Sequence, residues 1–288
     1  TGWRRCSGNR ASVTVVARQG SPALDRPWRR PGRLRYSVER LRSALAPPVT
    51  VTDPPSGIVI DRDVAVPARD GTLLRVNIFR PPGSTPRPVL LSAHPYGKDN
   101  LPKRRRGRWR FSVQYRAMRQ SGPVSFSALT GWEAPDPAWW VAQGFAVVNA
   151  DLRGCGTSEG IGSLLSRREA EDTCDIIGWA AGQSWSDGRV VMSGVSYLAI
   201  SQYAAAALRP PALKAIVPWE GFTDAYRDLA FPGGVREKGF LRLWSAEVRR
   251  STRQSYDMIG MGDAHPLHDE SWQSVAPDTS ATPIPLLV

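Results

Sequence analysis

The sequence predicts an α/β fold in which helices cover both faces of a mostly parallel β-sheet. Apolar runs of strand length, PVLLSA at 88–93 and FAVVNA at 145–150, alternate along the chain with longer segments of helical pattern. A strand buried on both faces appears as a continuous apolar run, and strands separated by helices pair in parallel. At 288 residues the chain is long enough for one such core with an inserted part.

Residues 1–56 are rich in Arg, Pro, Gly and Ser. This composition predicts a basic, poorly ordered extension with one short helix at SVERLRSAL, 37–45. The core is expected over residues 57–218, and it opens with two alternating segments, 58–66 and 73–79, that flank the turn RDGT. Alternation of apolar and polar residues on both sides of a turn predicts an antiparallel pair of strands.

The core then continues as alternating strands and helices. Helices are expected at PAWWVAQG (137–144) and SRREAEDTCDIIGWAAGQ (166–183), a turn at SDGR (186–189), and strands at VVMSG (190–194) and LKAIVP (213–218). Residues 219–280 are irregular or helical and rich in Trp, Phe and Arg. They predict a helical cap over the carboxyl edge of the sheet, where open α/β sheets bind ligands. TPIPLLV predicts the start of a further core strand at 281–288, after which the last core strands are missing.

Cysteine usage and hydropathy exclude several classes of protein. Cys6, Cys155 and Cys174 are far apart and form no CxxC pair, so neither a disulfide framework nor a zinc cluster is predicted. There is no apolar run of 18 residues and no recognisable signal peptide. These features favour a reducing, cytoplasmic location and give no indication of a membrane partner.

The net charge of +12 is concentrated in two segments. Residues 1–56 contain eleven arginines and three acidic residues, and residues 98–119 contain nine basic residues and one acidic residue. Such segments could bind nucleic acid through phosphate contacts, which remains one alternative. The basic residues are almost all Arg, however, with only four Lys in the chain, and a GC-rich coding sequence produces this bias. Nucleic acid is therefore not an expected partner.

The segment SGVSYLAISQYAAAA, 193–207, predicts a nucleophilic serine. Ser196 follows an apolar strand and precedes an Ala-rich helix, and Gly194 allows close backbone packing two residues earlier. A strand, a sharp turn and a helix would present the Ser196 hydroxyl at the edge of the sheet, in the geometry of a nucleophile elbow.

Five ordered blocks of sequence carry a resemblance to a known family. They are RDVAVPARDGTLLRVNIFRP, PVLLSAHPYGK, EAPDPAWWVAQGFAVVNADLRGCGTSEG, DIIGWAAGQSWSDGRVVMSGVSYLAISQ and HPLHDESW. From about Asp61 to Val288 the chain resembles the cocaine-esterase-like and X-prolyl dipeptidyl-peptidase-like (S15-type) serine hydrolases of the α/β-hydrolase superfamily, which include α-amino-acid ester hydrolases. The elbow of that family reads G-x-S-Y-x-G, whereas this chain has Ala199 in the last place.

The resemblance implies roles for particular residues. Two donors would form the oxyanion hole, namely the hydroxyl of Tyr96 and the backbone N–H of Tyr197, while Trp219 and Phe231 would line the substrate pocket. No cofactor is implied. In the family the catalytic acid follows a strand that begins like TPIPLLV and the histidine comes later, so both are expected beyond Val288, along with a β-sandwich domain. The 288 residues would then be a C-terminally truncated fragment with little activity of its own.

The three histidines are weak candidates for the catalytic base. His94 precedes Ser196, whereas the order in this fold is serine, acid, histidine. His265 and His268 come late enough, but they lie in a block that matches the cap. Asp224 is likewise a cap carboxylate by its position. A metal site built from these histidines with Asp263 or Asp269 is less favoured than a solvated, helix-capping cluster, and DLRGCGTSEG lacks the spacing of a phosphate-binding loop.

The sequence therefore predicts a serine hydrolase that cleaves ester or amide bonds, X-Pro dipeptidyl bonds among them, through an acyl-enzyme on Ser196. The expected partner is a small-molecule ester or peptide substrate. Two alternatives remain open, a non-catalytic binding protein with the same fold and an Arg-rich nucleic-acid binder. Oligomeric state is not predicted.

Overall fold

The computed structural model describes residues 32–118, 120, 122–255, 257–280, 282 and 284–287. The prediction of a basic, poorly ordered N-terminal extension falls partly on residues 1–31, which lie outside the described residues. Strands are β1 Val49–Thr52, β2 Val59–Pro67, β3 Leu73–Arg80, β4 Arg87–His94, β5 Lys103–Arg105, β6 Arg108–Arg110, β7 Val124–Ser127, β8 Ala146–Asp151, β9 Ser186–Val195 and β10 Leu213–Trp219. Helices are α1 Arg33–Leu45, α2 Gln114–Ala117, α3 Pro137–Ala142, α4 Arg167–Ala181, α5 Tyr197–Ala207, α6 Phe240–Val248, α7 Met258–Ala264 and α8 Glu270–Ser274.

The centre of the described chain is a six-stranded sheet in the order β10-β9-β4-β8-β3-β2. Strands β10, β9, β4 and β8 are parallel, while β3 is antiparallel to both β8 and β2. The α/β prediction with its opening antiparallel pair is thereby confirmed. The segment SDGR, predicted as a turn, instead begins β9, because Ser186 pairs with Arg87 of β4.

Each face of the sheet is covered by a separate apolar cluster. Neighbouring side chains of a strand point to opposite faces, so Leu90 packs toward α3 with Phe79 and Val141, whereas Leu91 packs on the other face with Ile176 of α4. α5 lies on the same face as α4 and contributes Ile200 to that cluster. The continuous apolar runs of β4 and β8 follow from this burial on both faces.

A small second sheet joins the N-terminal region to the strand that follows the Arg-rich segment 98–119. β1 pairs in parallel with β7, with Val51 opposite Phe126. Arg116 donates hydrogen bonds to the backbone oxygens of Ala44 and Leu45 at 3.2 and 3.0 Å, at the carboxyl end of α1. A cation is favourable at that end of a helix. Strand β1 is therefore paired with the rest of the fold, whereas α1 is mostly exposed, with Leu34 80% and Leu41 61% exposed.

The chain after β10 forms the helical cap. It contains a π-helical turn at Tyr226–Ala230, a 3₁₀ turn at Pro232–Gly234 and helices α6 to α8. Residues 285 and 287 return to the sheet: Ile216 N–H donates to the oxygen of Pro285 at 3.1 Å, and Leu287 N–H donates to the oxygen of Ile216 at 3.1 Å. This parallel bridge lies on the outer side of β10.

A buried ammonium group fixes the loop that follows β4. Lys98 is 0% exposed, and its Nζ lies 2.8 Å from Asp63, 2.6 Å from Asp99 and 3.6 Å from Asp151. Burial alone would lower the pKa of Lys98, but these carboxylates outweigh it and raise the pKa, so the group is charged. The cluster connects the loop to β2 and β8.

Replacing Lys98 by Met is expected to lower the free energy of unfolding by about 3–5 kcal/mol, because the buried Asp151 carboxylate would lose its cation. Chemical denaturation of the variant beside Lys214→Met measures the difference. The exposed Lys214 donates to the backbone oxygen of Pro211, and its loss should change stability by roughly 0.5 kcal/mol or less. Equal effects of the two substitutions would show that the buried cluster contributes no special stability.

Candidate active site

Ser196 occupies a strained turn between β9 and α5. Its φ of 60° and ψ of −117° are unusual for a residue with a side chain. Two backbone hydrogen bonds hold the turn, from Ser196 N–H to the oxygen of Trp219 at 2.9 Å and from Val195 N–H to the oxygen of Glu133 at 3.2 Å. The geometry is that of a nucleophile elbow, as the segment 193–207 predicts.

Small residues allow α5 to start so close to the strand. A Cβ at Gly194 would collide with the side chain of Leu198, so glycine is required at this position. Ala199 stands where the family pattern has glycine, and its methyl group is accommodated by Gly221. A Cβ added at Gly221 would lie 2.7 Å from the Cβ of Ala199. The extra methyl of Ala199 therefore does not disturb the turn, because the facing residue has none.

His94 belongs to the support of the Tyr96 loop. Its ring is buried, Nδ1 accepts from the backbone N–H of Tyr96 at 3.3 Å, and Nε2 lies 2.7 Å from Asn149 Oδ1. Burial lowers the pKa of His94 to about 4, so the imidazole is neutral at physiological pH. Because Nδ1 accepts, the hydrogen is on Nε2 and is donated to Asn149. His94 thus orients the backbone of Tyr96.

The Tyr96 hydroxyl lies beside the nucleophile. It interacts with the side chains of Ser196 and Glu133, and it accepts a hydrogen bond from Trp244 Nε1 at 3.2 Å. Burial, reinforced by the nearby Glu133, raises the pKa of Tyr96 well above its usual value. The phenol therefore keeps its hydrogen and can act as a donor next to Ser196. The structure thus brings together the predicted residues Ser196, Tyr96 and Tyr197.

Glu133 is a carboxyl group at this site that was not a candidate from sequence. It has a φ of 63°, its Oε2 is buried without a hydrogen-bond partner in the described structure, and burial raises its pKa to about 7. In the sequence, Glu133 is visible only as an acidic residue of WEAPDP, 132–137. A lone Glu in a loop is ordinarily solvated, so the sequence does not single it out as a site residue.

Tyr197 is held by a second carboxyl group that sequence did not single out. Its hydroxyl accepts from the N–H of Leu165 at 3.1 Å and lies 3.0 and 2.9 Å from the two carboxyl oxygens of Glu169. Glu169 is buried in the first turn of α4, and burial raises its pKa to about 8. The ring of Tyr197 stacks on Trp244, with centroids 5.9 Å apart.

A small apolar cavity of about 30 Å³ adjoins Ser196. Its lining includes Phe222, Phe240 and Trp244. Trp219, predicted to line the pocket, has a side chain that is 60% exposed and contacts the elbow through its backbone oxygen. The structure places Phe231, the other predicted pocket residue, in the cap core, where it stacks on Tyr226.

The described contacts of His265 and His268 lie within the cap. His265 Nδ1 is 2.7 Å from Asp269, and its Nε2 is 3.4 Å from Ser271 Oγ. This order of contacts resembles a catalytic triad, but the Asp269 carboxylate also accepts from the backbone N–H groups at the start of α8 and acts as a helix cap. His268 lies 3.7 Å from Asp224. The described contacts of both histidines therefore stabilise the cap itself.

The described residues contain no cluster of three or more His, Cys, Asp or Glu side chains arranged to hold a metal ion. Cys155 and Cys174 are free thiols. None of the helices in the described part of the chain has the length and apolarity needed to cross a membrane.

Comparison with known families identifies the chain. The model of the X-Pro dipeptidyl-peptidase (S15) family matches residues 70–282. The chain belongs to this family. The match includes Tyr96, Ser196 and the whole cap, and it confirms the resemblance carried by the five sequence blocks.

The chain has relatives whose names are those of esterases and peptidases. Over 191 residues it is 35% identical to the cocaine esterase of Rhodococcus sp. (strain MB1 Bresler), covering 65% of this chain and 28% of the esterase. A putative Xaa-Pro dipeptidyl-peptidase of Bacillus anthracis is 30% identical over 141 residues, covering 42% and 23%. The crystal structure of a CocE/NonD family hydrolase from Staphylococcus aureus superimposes with a TM-score of 0.71 at 40% identity, covering 79% of this chain and 40% of that one. The chain thus spans less than a third of these curated relatives.

Replacing Glu169 by Gln is expected to make stability less dependent on pH. The folded protein keeps the Glu169 proton up to a pKa of about 8, whereas the unfolded chain releases it near 4.5. Between these values the folded state binds more protons, so the free energy of unfolding falls as pH rises. Gln keeps a hydrogen bond to Tyr197 without a charge. The Tm of the variant relative to the parent should therefore increase by about 5 °C or more from pH 5 to pH 8.

Thermal unfolding at several pH values measures this effect. Glu171→Gln, which removes a carboxylate from the partly exposed side of α4, is the matched control. A Tm difference for Glu169→Gln that stays constant from pH 5 to pH 8 would contradict the prediction.

Proposed function

We propose that the protein is a serine hydrolase that cleaves ester or amide bonds through an acyl-enzyme on Ser196. The observation that carries the proposal is the strained backbone of Ser196, with the Tyr96 hydroxyl beside its side chain and the Tyr197 N–H next along the chain. The family assignment supports the same reaction class. No cofactor is needed for this chemistry.

The proposed reaction begins with attack of Ser196 Oγ on the substrate carbonyl carbon. The Oγ–C bond forms, the hydroxyl proton passes to a general base, and the carbonyl π electrons move to oxygen. Hydrogen bonds from the Tyr96 hydroxyl and the Tyr197 N–H stabilise this oxyanion. As the intermediate collapses, the base gives this proton to the leaving group, which departs as an alcohol or a neutral amine. Water then attacks the acyl-enzyme, its proton passes through the base to Ser196 Oγ, and the carboxylic acid is released. The base and its acid partner are proposed to follow Val288, because the described contacts of His94, His265 and His268 serve other purposes.

The apolar cavity beside Ser196 suggests which part of a substrate is recognised. Its lining is apolar, so a substrate group that enters it is expected to be small and apolar. The names of the relatives include a cocaine esterase and putative Xaa-Pro dipeptidyl-peptidases. We therefore propose small esters and Xaa-Pro peptides as the substrate classes to test.

In the protein at its full natural length, a fluorophosphonate probe should label Ser196. Ser196→Ala should abolish labelling and lower turnover of p-nitrophenyl esters by several orders of magnitude. Ser201→Ala is the matched control, since Ser201 is a buried serine of α5 that donates to the oxygen of Ala93. The 288 residues alone should show little turnover, which His265→Ala and His268→Ala leave unchanged.

Labelling of another residue would contradict the assignment of Ser196. Turnover by the 288 residues that is lost in His265→Ala or His268→Ala would show that the cap histidines supply the base. Absence of both labelling and turnover in the full-length protein would favour a non-catalytic binding protein, whereas steeply salt-dependent oligonucleotide binding would favour the nucleic-acid alternative.

Tyr96→Phe should lower kcat by about 10²- to 10³-fold while KM changes little, because the hydroxyl is needed only when the oxyanion forms. Steady-state kinetics on the full-length protein, with active sites counted by fluorophosphonate titration, measures both constants. A change confined to KM would instead make Tyr96 a residue that binds the substrate in its ground state.

A further inference from the structure

We propose that Trp244, on the cap helix α6, is a positioning residue that directs the hydroxyl hydrogen of Tyr96 toward the oxyanion. The inference rests on the proposed serine hydrolase function. It assigns to the cap a part in the oxyanion hole, in addition to lining the substrate cavity.

The direction of the Tyr96 hydroxyl follows from the chemistry of the two groups. The indole N–H of Trp244 can only donate, so in the 3.2 Å contact the phenol oxygen of Tyr96 must accept. A phenol O–H has two preferred orientations in the plane of its ring, and the one facing Trp244 would bring two hydrogens together. The hydroxyl hydrogen therefore points away from the indole, and in this proposal it is directed to the group at Ser196 rather than to Glu133, the other side chain that interacts with the hydroxyl.

Glu133 makes this orientation matter. Its carboxyl group also interacts with the Tyr96 hydroxyl, and its Oε2 has no hydrogen-bond partner in the described structure. An ionised carboxylate is a stronger acceptor than a substrate carbonyl. Without the indole N–H, the Tyr96 hydroxyl would be freer to turn away from Ser196, and Glu133 is an acceptor that already interacts with it. The indole thus limits a competition that would remove a donor from the oxyanion.

Trp244 is itself held in place from the core. Its ring stacks on the ring of Tyr197 at an interplanar angle of 18°. The far end of Tyr197 is fixed by Leu165 N–H and by the buried carboxyl group of Glu169. One chain of contacts thus runs from α4 through Tyr197 and Trp244 to Tyr96. The indole touches the side chains of both residues that supply the proposed oxyanion donors.

The test is Trp244→Phe in the full-length protein, because Phe keeps an aromatic ring on Tyr197 but lacks the N–H. We expect kcat to fall about 10-fold with KM within about 2-fold, a smaller loss than removal of the donor itself. In the Tyr96→Phe background the same substitution should cause no further loss of kcat, since the group that it orients is already absent. Active sites are counted by fluorophosphonate titration, so misfolded protein does not enter kcat.

Phe240→Leu is the matched control. Phe240 lies on the same helix and lines the same cavity, but it makes no hydrogen bond to Tyr96. It should change KM, and its effect should be the same with and without the Tyr96 hydroxyl.

Three results would overturn the inference. They are an unchanged kcat in Trp244→Phe, a loss confined to KM, and an equal loss of kcat in the Tyr96→Phe background. If the fluorophosphonate fails to label Ser196 in the parent protein, the proposed function fails and the inference fails with it. Labelled Ser196 with any of the three results overturns the inference alone.

Discussion

The strained turn at Ser196 is the constraint on which the site depends. A residue with a side chain at positive φ persists only where the surroundings hold it. Here the Ser196 N–H donates to the oxygen of Trp219 and the Val195 N–H donates to the oxygen of Glu133. The missing side chain of Gly194 leaves room for Leu198. The turn therefore depends on strand β10, which supplies Trp219, and on the loop before α3, which supplies Glu133. The parallel sheet places both beside the turn.

Buried polar groups fix the residues on either side of that turn. His94 binds the backbone of Tyr96, Lys98 fixes the same loop through three carboxylates, and Glu169 binds the hydroxyl of Tyr197. Burying such groups is costly unless they are paired. These groups contact Tyr96, the loop that carries it, and Tyr197. The buried polar contacts therefore position the residues around Ser196 as well as stabilising the fold. Preorganised donors are the main means by which enzymes stabilise an oxyanion.

Local patterns allowed the sheet and the elbow to be predicted, but not the contacts between distant segments. The strands from 88 to 218 and the turn at Ser196 are specified by short runs of sequence. Glu169 stands three residues after Ser166, a spacing that suggests a capping box, yet its carboxyl group turns inward to Tyr197. Trp244 meets Tyr96 across 148 residues of sequence. No periodicity encodes such a contact, so the sequence does not single out Trp244 among the aromatic residues of the cap.

The order of elements along the chain has a consequence for biosynthesis. The six strands that form the central sheet in the described residues precede residue 220, whereas the indole that contacts Tyr96 belongs to α6. Chains emerge from the ribosome N-terminus first, so these six strands and the turn at Ser196 are synthesised before α6. If Trp244 orients Tyr96 as proposed, a nascent chain at that stage carries Ser196 with an unoriented Tyr96 hydroxyl. Docking of α6 is then the step that aligns the two.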